Sequence, residues 1–278
     1  LAQTDFFKKA DNFFRENVSD GKVDYAALNE QDDELKMLLE DIEQFKYESA
    51  DPKTQKAFLI NTYNILAIAN VVKHYPIKSP LDVNGFFNAE KFQVAQRKMT
   101  LDQLEKNWLM KEYFDPRLHF ILVCAAEGCP QIVPYAYFPK KLEQQIEKRT
   151  QEVLSDPEFV KIKEEKNQID LSEIFNWYEK DFRQAEGSVK AYVKKYSSLN
   201  LPNEYKWGRY IYDWSLNKKK VENKDSGNLP AQNSTDLQQF TSSVLYDKGV
   251  FEIKLLNNFY TQNTFFDSEA VRVPVDRS

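Results

Sequence analysis

The sequence predicts an α+β fold, with a helical N-terminal half packed on a small antiparallel sheet. Three observations carry this. Ala57 to Val72 is apolar on nearly every helical face and follows Asp51-Pro52, so it reads as a buried central helix. His119–Cys124 is an apolar run too short for a helix and reads as a buried strand. Short alternating stretches, Lys91–Val94, Lys98–Leu101, Phe159–Ile162 and Gln168–Leu171, are interspersed with amphipathic helical segments.

Each element has a local reason. Thr4 is placed to cap a first helix with Phe6, Phe7, Ala10, Phe13 and Phe14 on one side. Residues 31–46 repeat the pattern with Leu35, Leu38, Leu39, Ile42 and Phe45. Asp51 and Pro52 supply the N-cap and first position of the central helix, predicted over 53–73. Thr100 and Gln103 form a capping box for a helix over 101–112. Pro139 opens a charged helix to about Leu154, Ser172 caps Glu173–Phe182, and a helix follows over Val189–Tyr196. Tyr210–Trp214 closes a body spanning 1–217. Residues 218–242 are polar and read as a linker. Val244–Leu256 and Phe259–Phe266 alternate like a β-hairpin around Asn257-Asn258, so 243–278 reads as a β-strand extension and the edge of a further domain.

Composition excludes several classes. Of 278 residues 42% are hydrophobic, with 20 Phe and 15 Tyr, which suits a globular chain with an aromatic core or groove. The net charge of -5 disfavours general nucleic-acid binding. With 7 Gly there is no glycine-rich phosphate loop, and no cofactor is implied. No apolar run reaches the ~18–20 residues of a transmembrane segment. Leu1-Ala2-Gln3 resembles the end of a cleaved secretory signal, so a periplasmic or secreted bacterial envelope protein is expected.

The chemistry concentrates in one place. The chain has 2 Cys and 2 His, and His119, Cys124 and Cys129 fall in one short segment. An imidazole can take a thiol proton and stabilise the thiolate. On a strand Cys124 points away from His119, whereas a loop through Gly128 can return Cys129, so Cys129 is the better partner. A structural disulfide and inert packing stay open. Zinc is disfavoured, because Cys124, Cys129 and His119 lack a near fourth ligand, so no metal is expected. Glu105, on the preceding helix, is placed to orient His119. Asn61 and Asn64 share a face of the central helix. They either tie it to neighbouring loops or line a pocket, and the first reading is preferred. Trp177 and Tyr178 belong to a core-facing helix and are candidates to wall a cleft.

Gly21-Lys-Val-Asp-Tyr-Ala-Ala-Leu28, Ala57-Phe-Leu-Ile-Asn61-Thr-Tyr-Asn64, Thr100-Leu-Asp-Gln-Leu-Glu105, Asp115-Pro-Arg-Leu-His119-Phe, Cys124-Ala-Ala-Glu-Gly-Cys129-Pro130, Leu171-Ser-Glu-Ile-Phe-Asn-Trp177-Tyr and Tyr212-Asp-Trp-Ser-Leu-Asn217 occur in this order. Together, over roughly Gly21 to Asn217, they resemble the family called domain of unknown function 547. Lys106 stands where that family often has His. The resemblance implies a fold similar to the papain and transglutaminase cysteine enzymes. Those enzymes usually place Cys at the start of the central helix, before His; here both Cys follow His119, so the arrangement is permuted or only the scaffold is kept.

Two functions are expected from these readings. One is a cysteine-dependent hydrolase or acyl transferase on a small peptide or amide substrate. Its nucleophile is Cys129, its base His119 and its orienting group Glu105; Cys124 is a further catalytic candidate, and backbone N–H groups near Gly128 hold the oxyanion. The other is a non-catalytic bacterial envelope binding module with an aromatic groove and an envelope protein partner.

Overall fold

In the computed structural model residues 2–219, 264–266 and 272–274 are described, and the chain divides into two units, Leu1–Glu222 and Asn223–Ser278. The first unit is built on the predicted central helix. Its elements begin with α1 (Ala2–Asn17), the β1–β2 hairpin (Val18–Ser19, Lys22–Val23), α2 (Tyr25–Glu30), α3 (Asp33–Gln44) and α4 (Pro52–His74). The β1–β2 turn is Asp20-Gly21, both at positive φ (50° and 72°), which matches the right-handed twist of a two-residue hairpin. The Asp51 side chain accepts from Lys53 N–H (3.1 Å) and Thr54 N–H (3.2 Å), and Pro52 needs no partner at the first position. Residues Ala57 to Val71 of α4 are all buried. Phe6, Phe7, Phe13 and Phe14 of α1 and Leu35, Leu38 and Ile42 of α3 join the same core. Thr4 lies inside α1, which starts three residues earlier than its cap reading implied.

Next come β3 (Phe92–Val94) and β4 (Arg97–Met99), which overlap the predicted strands Lys91–Val94 and Lys98–Leu101 and pair antiparallel. Thr100 and Gln103 make the reciprocal capping bonds: Gln103 N–H to Thr100 Oγ1 at 3.2 Å, and Thr100 N–H to Gln103 Oε1 at 3.0 Å. The helix that follows is a π-helix over Gln103–Leu109 that ends in α5 (Met110–Glu112). Its wider turn buries two adjacent pairs, Leu104 with Glu105 and Trp108 with Leu109.

The predicted strand His119–Cys124 is not a strand. Asp115 accepts from Arg117 N–H (3.1 Å) and Pro116 fixes the first φ, so Pro116–Phe120 starts a 3-10 turn that carries His119. Leu118 O then takes the N–H groups of both Ile121 and Leu122. Beyond that, the Asn64 amide replaces a strand neighbour, donating to Ile121 O and accepting from Val123 N–H, both at 2.9 Å. The apolar run is buried because it threads past α4; its burial was read correctly and its conformation was not.

The second core packs α6 (Leu142–Leu154), β5 (Lys161–Lys163), β6 (Gln168–Leu171), α7 (Ile174–Trp177), α8 (Glu179–Glu186), α9 (Val189–Tyr196) and β7 (Lys206–Arg209). The sheet order is β5-β6-β7; β5–β6 is antiparallel but β6–β7 is parallel, so the small sheet is mixed rather than antiparallel. The helix predicted over Glu173–Phe182 breaks at Tyr178 (φ -112°, ψ 24°) into α7 and α8. Tyr210–Trp214 runs on without regular structure, and residues 213–219 lace the unit together. Asp213 O and Ser215 O accept from Gly128 and Glu127 N–H, while Asn217 N–H donates to Ala125 O and Asn217 O accepts from Val23 N–H. This mixture of helices and small sheets is an α+β fold.

The second unit contains β8 (Thr264–Phe266) and β9 (Arg272–Pro274), paired antiparallel. The predicted strand Val244–Leu256, residues 259–263 of its partner and the predicted linker beyond Lys219 lie outside the described residues. No described helix is long and apolar enough to cross a membrane.

Candidate functional site

The two thiols face each other across a tight turn. Ala125 adopts a left-handed conformation (φ 62°) directly after Cys124, and the turn returns the chain so that Cys124 N–H donates to Cys129 Sγ at 3.0 Å. Both cysteines are free, with Cys129 buried and Cys124 part-buried. Tyr212, just before the lacing segment, places its hydroxyl 3.0 Å from Cys124 Sγ and acts electrostatically on both thiols. Gly128 permits this approach: a Cβ there would meet the Asp213 backbone at 2.9 and 3.0 Å.

This geometry splits the two acidities. Burial pushes both thiols up. At Cys129 the Cys124 thiol, the Tyr212 hydroxyl and the Cys124 and Ala126 backbone amides outweigh burial and hold the thiol below the usual value of 9.0. At Cys124 burial is reinforced by the neighbouring Cys129 thiol and its charge, so that thiol sits well above 9.0. Burial and the two sulfurs likewise push Tyr212 well above 10.0.

His119 lies behind this cluster. Its Nε2 is 2.9 Å from Asp181 Oδ2, and its ring stacks on Tyr178 with centroids 3.7 Å apart. Neither sulfur is its hydrogen-bond partner. Glu105 does not orient it either: the buried Glu105 accepts from the Tyr178 hydroxyl at 3.0 Å, and Asp181 takes the orienting place. Burial and Glu105 raise Tyr178 far above 10.0. The backbone N–H groups expected to hold an oxyanion have partners: Glu127 bonds Ser215 O, Gly128 bonds Asp213 O and Cys129 bonds Ala126 O. His119 sits on a 3-10 turn, so the alternating-face argument that paired it with Cys129 does not apply.

Asn61 and Asn64 are tethers, as preferred. Asn61 bonds Tyr137 N–H and O (2.9 and 2.8 Å), and Asn64 bonds Val123 and Ile121. Trp177 and Trp214, both part-buried, stack 5.7 Å apart and flank the Tyr212 ring at 4.8 and 4.7 Å. A cleft of about 370 Å³ lies elsewhere, lined by Lys53, Lys56, Tyr113, Pro139, Lys140 and Lys141 among others and by none of these site residues. Among the described residues no group of three or more His, Cys, Asp or Glu is placed to hold a metal ion.

Residues 47–154 match the family model described as protein of unknown function, DUF547. Over that segment the chain is similar to this family. The DUF547 match is narrower than the resemblance traced from Gly21 to Asn217. It contains Asn61, Asn64, Glu105, His119, Cys124 and Cys129, while Trp177, Tyr178, Asp181 and Tyr212 lie beyond it. No curated protein and no solved structure matches the chain. Sequence reasoning missed Tyr212 and Asp181 as site residues. Tyr212 stands in one of the motifs quoted for the family, but nothing in one sequence brings it to a sulfur 88 positions away.

Proposed function

We propose that the chain is a cysteine-dependent hydrolase or acyl transferase on a peptide or amide, with Cys129 as nucleophile. The supporting observation is the hydrogen-bonded cluster of Cys129, Cys124 and Tyr212, in which one thiol is made more acidic and its two neighbours less so. Groups whose surroundings drive their acidities apart take opposite roles in proton chemistry. Cys129 is the more readily ionised of the two thiols, and its hydrogen-bond partners do not include His119. The thiolate attacks the carbonyl carbon, the C–N bond breaks, and the amine leaves with a proton from Cys124 or Tyr212. Water then cleaves the thioester, its hydroxyl going to the acyl carbon and its other proton restoring the donor. The His119–Asp181 pair is assigned a positioning role through the Tyr178 ring, and Glu105 fixes the Tyr178 hydroxyl. We assign the similarity to papain and transglutaminase folds, and location in the periplasm or outside the cell, to this same reading.

p-Nitrophenyl acetate with mass-spectrometric mapping tests it. A transient acetyl group on Cys129, absent in Cys129→Ala, is expected. Acetylation confined to lysines, with Cys129 unmodified, contradicts the proposal. The aromatic cluster of Trp177, Trp214 and Tyr212 favours a second reading, an envelope binding module with an aromatic groove. Under that reading Cys129→Ala leaves partner binding intact while Trp214→Ala weakens it.

A further inference from the structure

We infer that Cys124 and Cys129 form a reversible dithiol–disulfide couple that exchanges with small-molecule disulfides and so switches the nucleophile off and on. This rests on the reading of Cys129 as the nucleophilic thiol. Three observations carry it. Cys124 N–H donates to Cys129 Sγ at 3.0 Å while Cys124 Sγ lies 3.0 Å from the Tyr212 hydroxyl, so the two cysteines share one cluster in the reduced protein. The turn between them is fixed independently of the sulfurs: Asn217 N–H to Ala125 O, Glu127 N–H to Ser215 O and Gly128 N–H to Asp213 O measure 3.0, 2.7 and 2.8 Å. These bonds hold the turn closed, so ring closure needs little further ordering of the chain. The third is the division of labour the geometry sets up. Cys129 Sγ receives a backbone N–H and a hydroxyl and is the attacking sulfur, while Cys124 keeps its proton until it resolves the intermediate.

The step balances with a low-molecular-weight disulfide, RSSR, as oxidant. The Cys129 thiolate attacks one sulfur of RSSR; the R–S–S–R bond breaks, a mixed disulfide forms and RS⁻ leaves. RS⁻ takes the Cys124 proton and departs as RSH. Cys124 sulfur then attacks Cys129 Sγ, the internal S–S bond forms and the second RS⁻ leaves. The protein loses two electrons and RSSR gains them. With the bond formed, Cys129 has no thiolate, and any chemistry that uses it stops. A dithiol reverses the sequence.

Oxidised glutathione provides the test, with intact-mass and peptide-mapping mass spectrometry of the full chain. The wild type is expected to lose two hydrogens, form a Cys124–Cys129 bond and recover with dithiothreitol. Cys124→Ser is expected to accumulate a glutathione adduct on Cys129. Cys129→Ser is expected to form its adduct on Cys124 about tenfold more slowly than Cys124→Ser forms its adduct on Cys129, because burial keeps the Cys124 thiol protonated. A wild type that keeps two thiols, or only carries glutathione adducts without closing, overturns the couple whatever the variants do. Acetylation of Cys129 by p-nitrophenyl acetate, measured in the same samples, separates the two proposals. Acetylation without ring closure sinks the couple alone, and ring closure without acetylation sinks the acyl chemistry alone.

Discussion

At the scale of single residues, the polar groups buried beside the site are of two kinds. Asn61 and Asn64 each satisfy a backbone N–H and a backbone C=O of an irregular segment that has no other ladder. Replacing either with Leu is expected to destabilise by about 1–3 kcal/mol, read by urea unfolding, because buried backbone groups lose their partners. Asn64→Leu should also loosen the segment that leads into Cys124 and slow alkylation of Cys129; Asn61→Leu should not. Unchanged unfolding in either variant would contradict the tether role. Asp115 is the second kind. Burial raises its carboxyl, but Arg117 and Lys56 outweigh burial and hold it below 3.8. A carboxyl lowered by folding contributes stability at pH values above its ordinary range, and that contribution is lost as pH falls through the folded value. Asp115→Asn should therefore cost about 3 kcal/mol at pH 7, since it leaves two cations without their buried partner. The gap from wild type should close as pH falls below about 4; a gap independent of pH between 7 and 3 would refute this. The sequence preferred the tether reading over pocket lining, because buried amides are usually satisfied internally, and the hydrogen bonds of Asn61 and Asn64 agree with it. The Asp115 cluster was not legible, since Lys56 is 59 positions away.

At the scale of elements, helices with local caps were legible and irregular segments were not. Asp51-Pro52 and Thr100 with Gln103 carry their own start signals, and α4 and α9 appear close to their predicted bounds. β7 was missed because its four residues, Lys-Trp-Gly-Arg, carry no apolar alternation and are held by parallel pairing to β6. His119–Cys124 was misread because apolar length cannot distinguish a strand from a threaded turn whose partner is a side-chain amide. The turn Ala125–Gly128 is the element on which the site depends. Gly128→Ala is expected to push the Asp213 backbone away, since a Cβ would lie 2.9 and 3.0 Å from its N and O. That displaces Tyr212 from the sulfurs, so both thermal stability and the Cys129 alkylation rate at pH 7 should fall. An unchanged alkylation rate in a folded Gly128→Ala would show that the turn does not set the thiol's acidity.

At the scale of the whole first unit, the site exists only where distant stretches of sequence meet. The cysteines follow the segment threaded past α4, and Tyr212 arrives after the β5-β6-β7 sheet. Glu105 comes from the π-helix, and Asp181 from α8. The sequence named the thiols, His119 and Glu105, because rare residue types clustered and the family motifs marked them. It could not say which groups touch, and the partners it assigned to His119 were wrong. The central claim is that folding itself makes Cys129 acidic by bringing Tyr212 and the Cys124 N–H to its sulfur. The direct measurement is the rate of iodoacetamide labelling at Cys129 and Cys124 against pH, mapped by mass spectrometry. It is made on the native chain, the urea-unfolded chain and the Tyr212→Phe variant. The account predicts that native Cys129 titrates below an ordinary thiol and labels faster than Cys124. It predicts that Tyr212→Phe moves the Cys129 midpoint upward and that in urea the two cysteines become alike. A native Cys129 that titrates at or above its unfolded value, or a Cys124 that labels first, would contradict it.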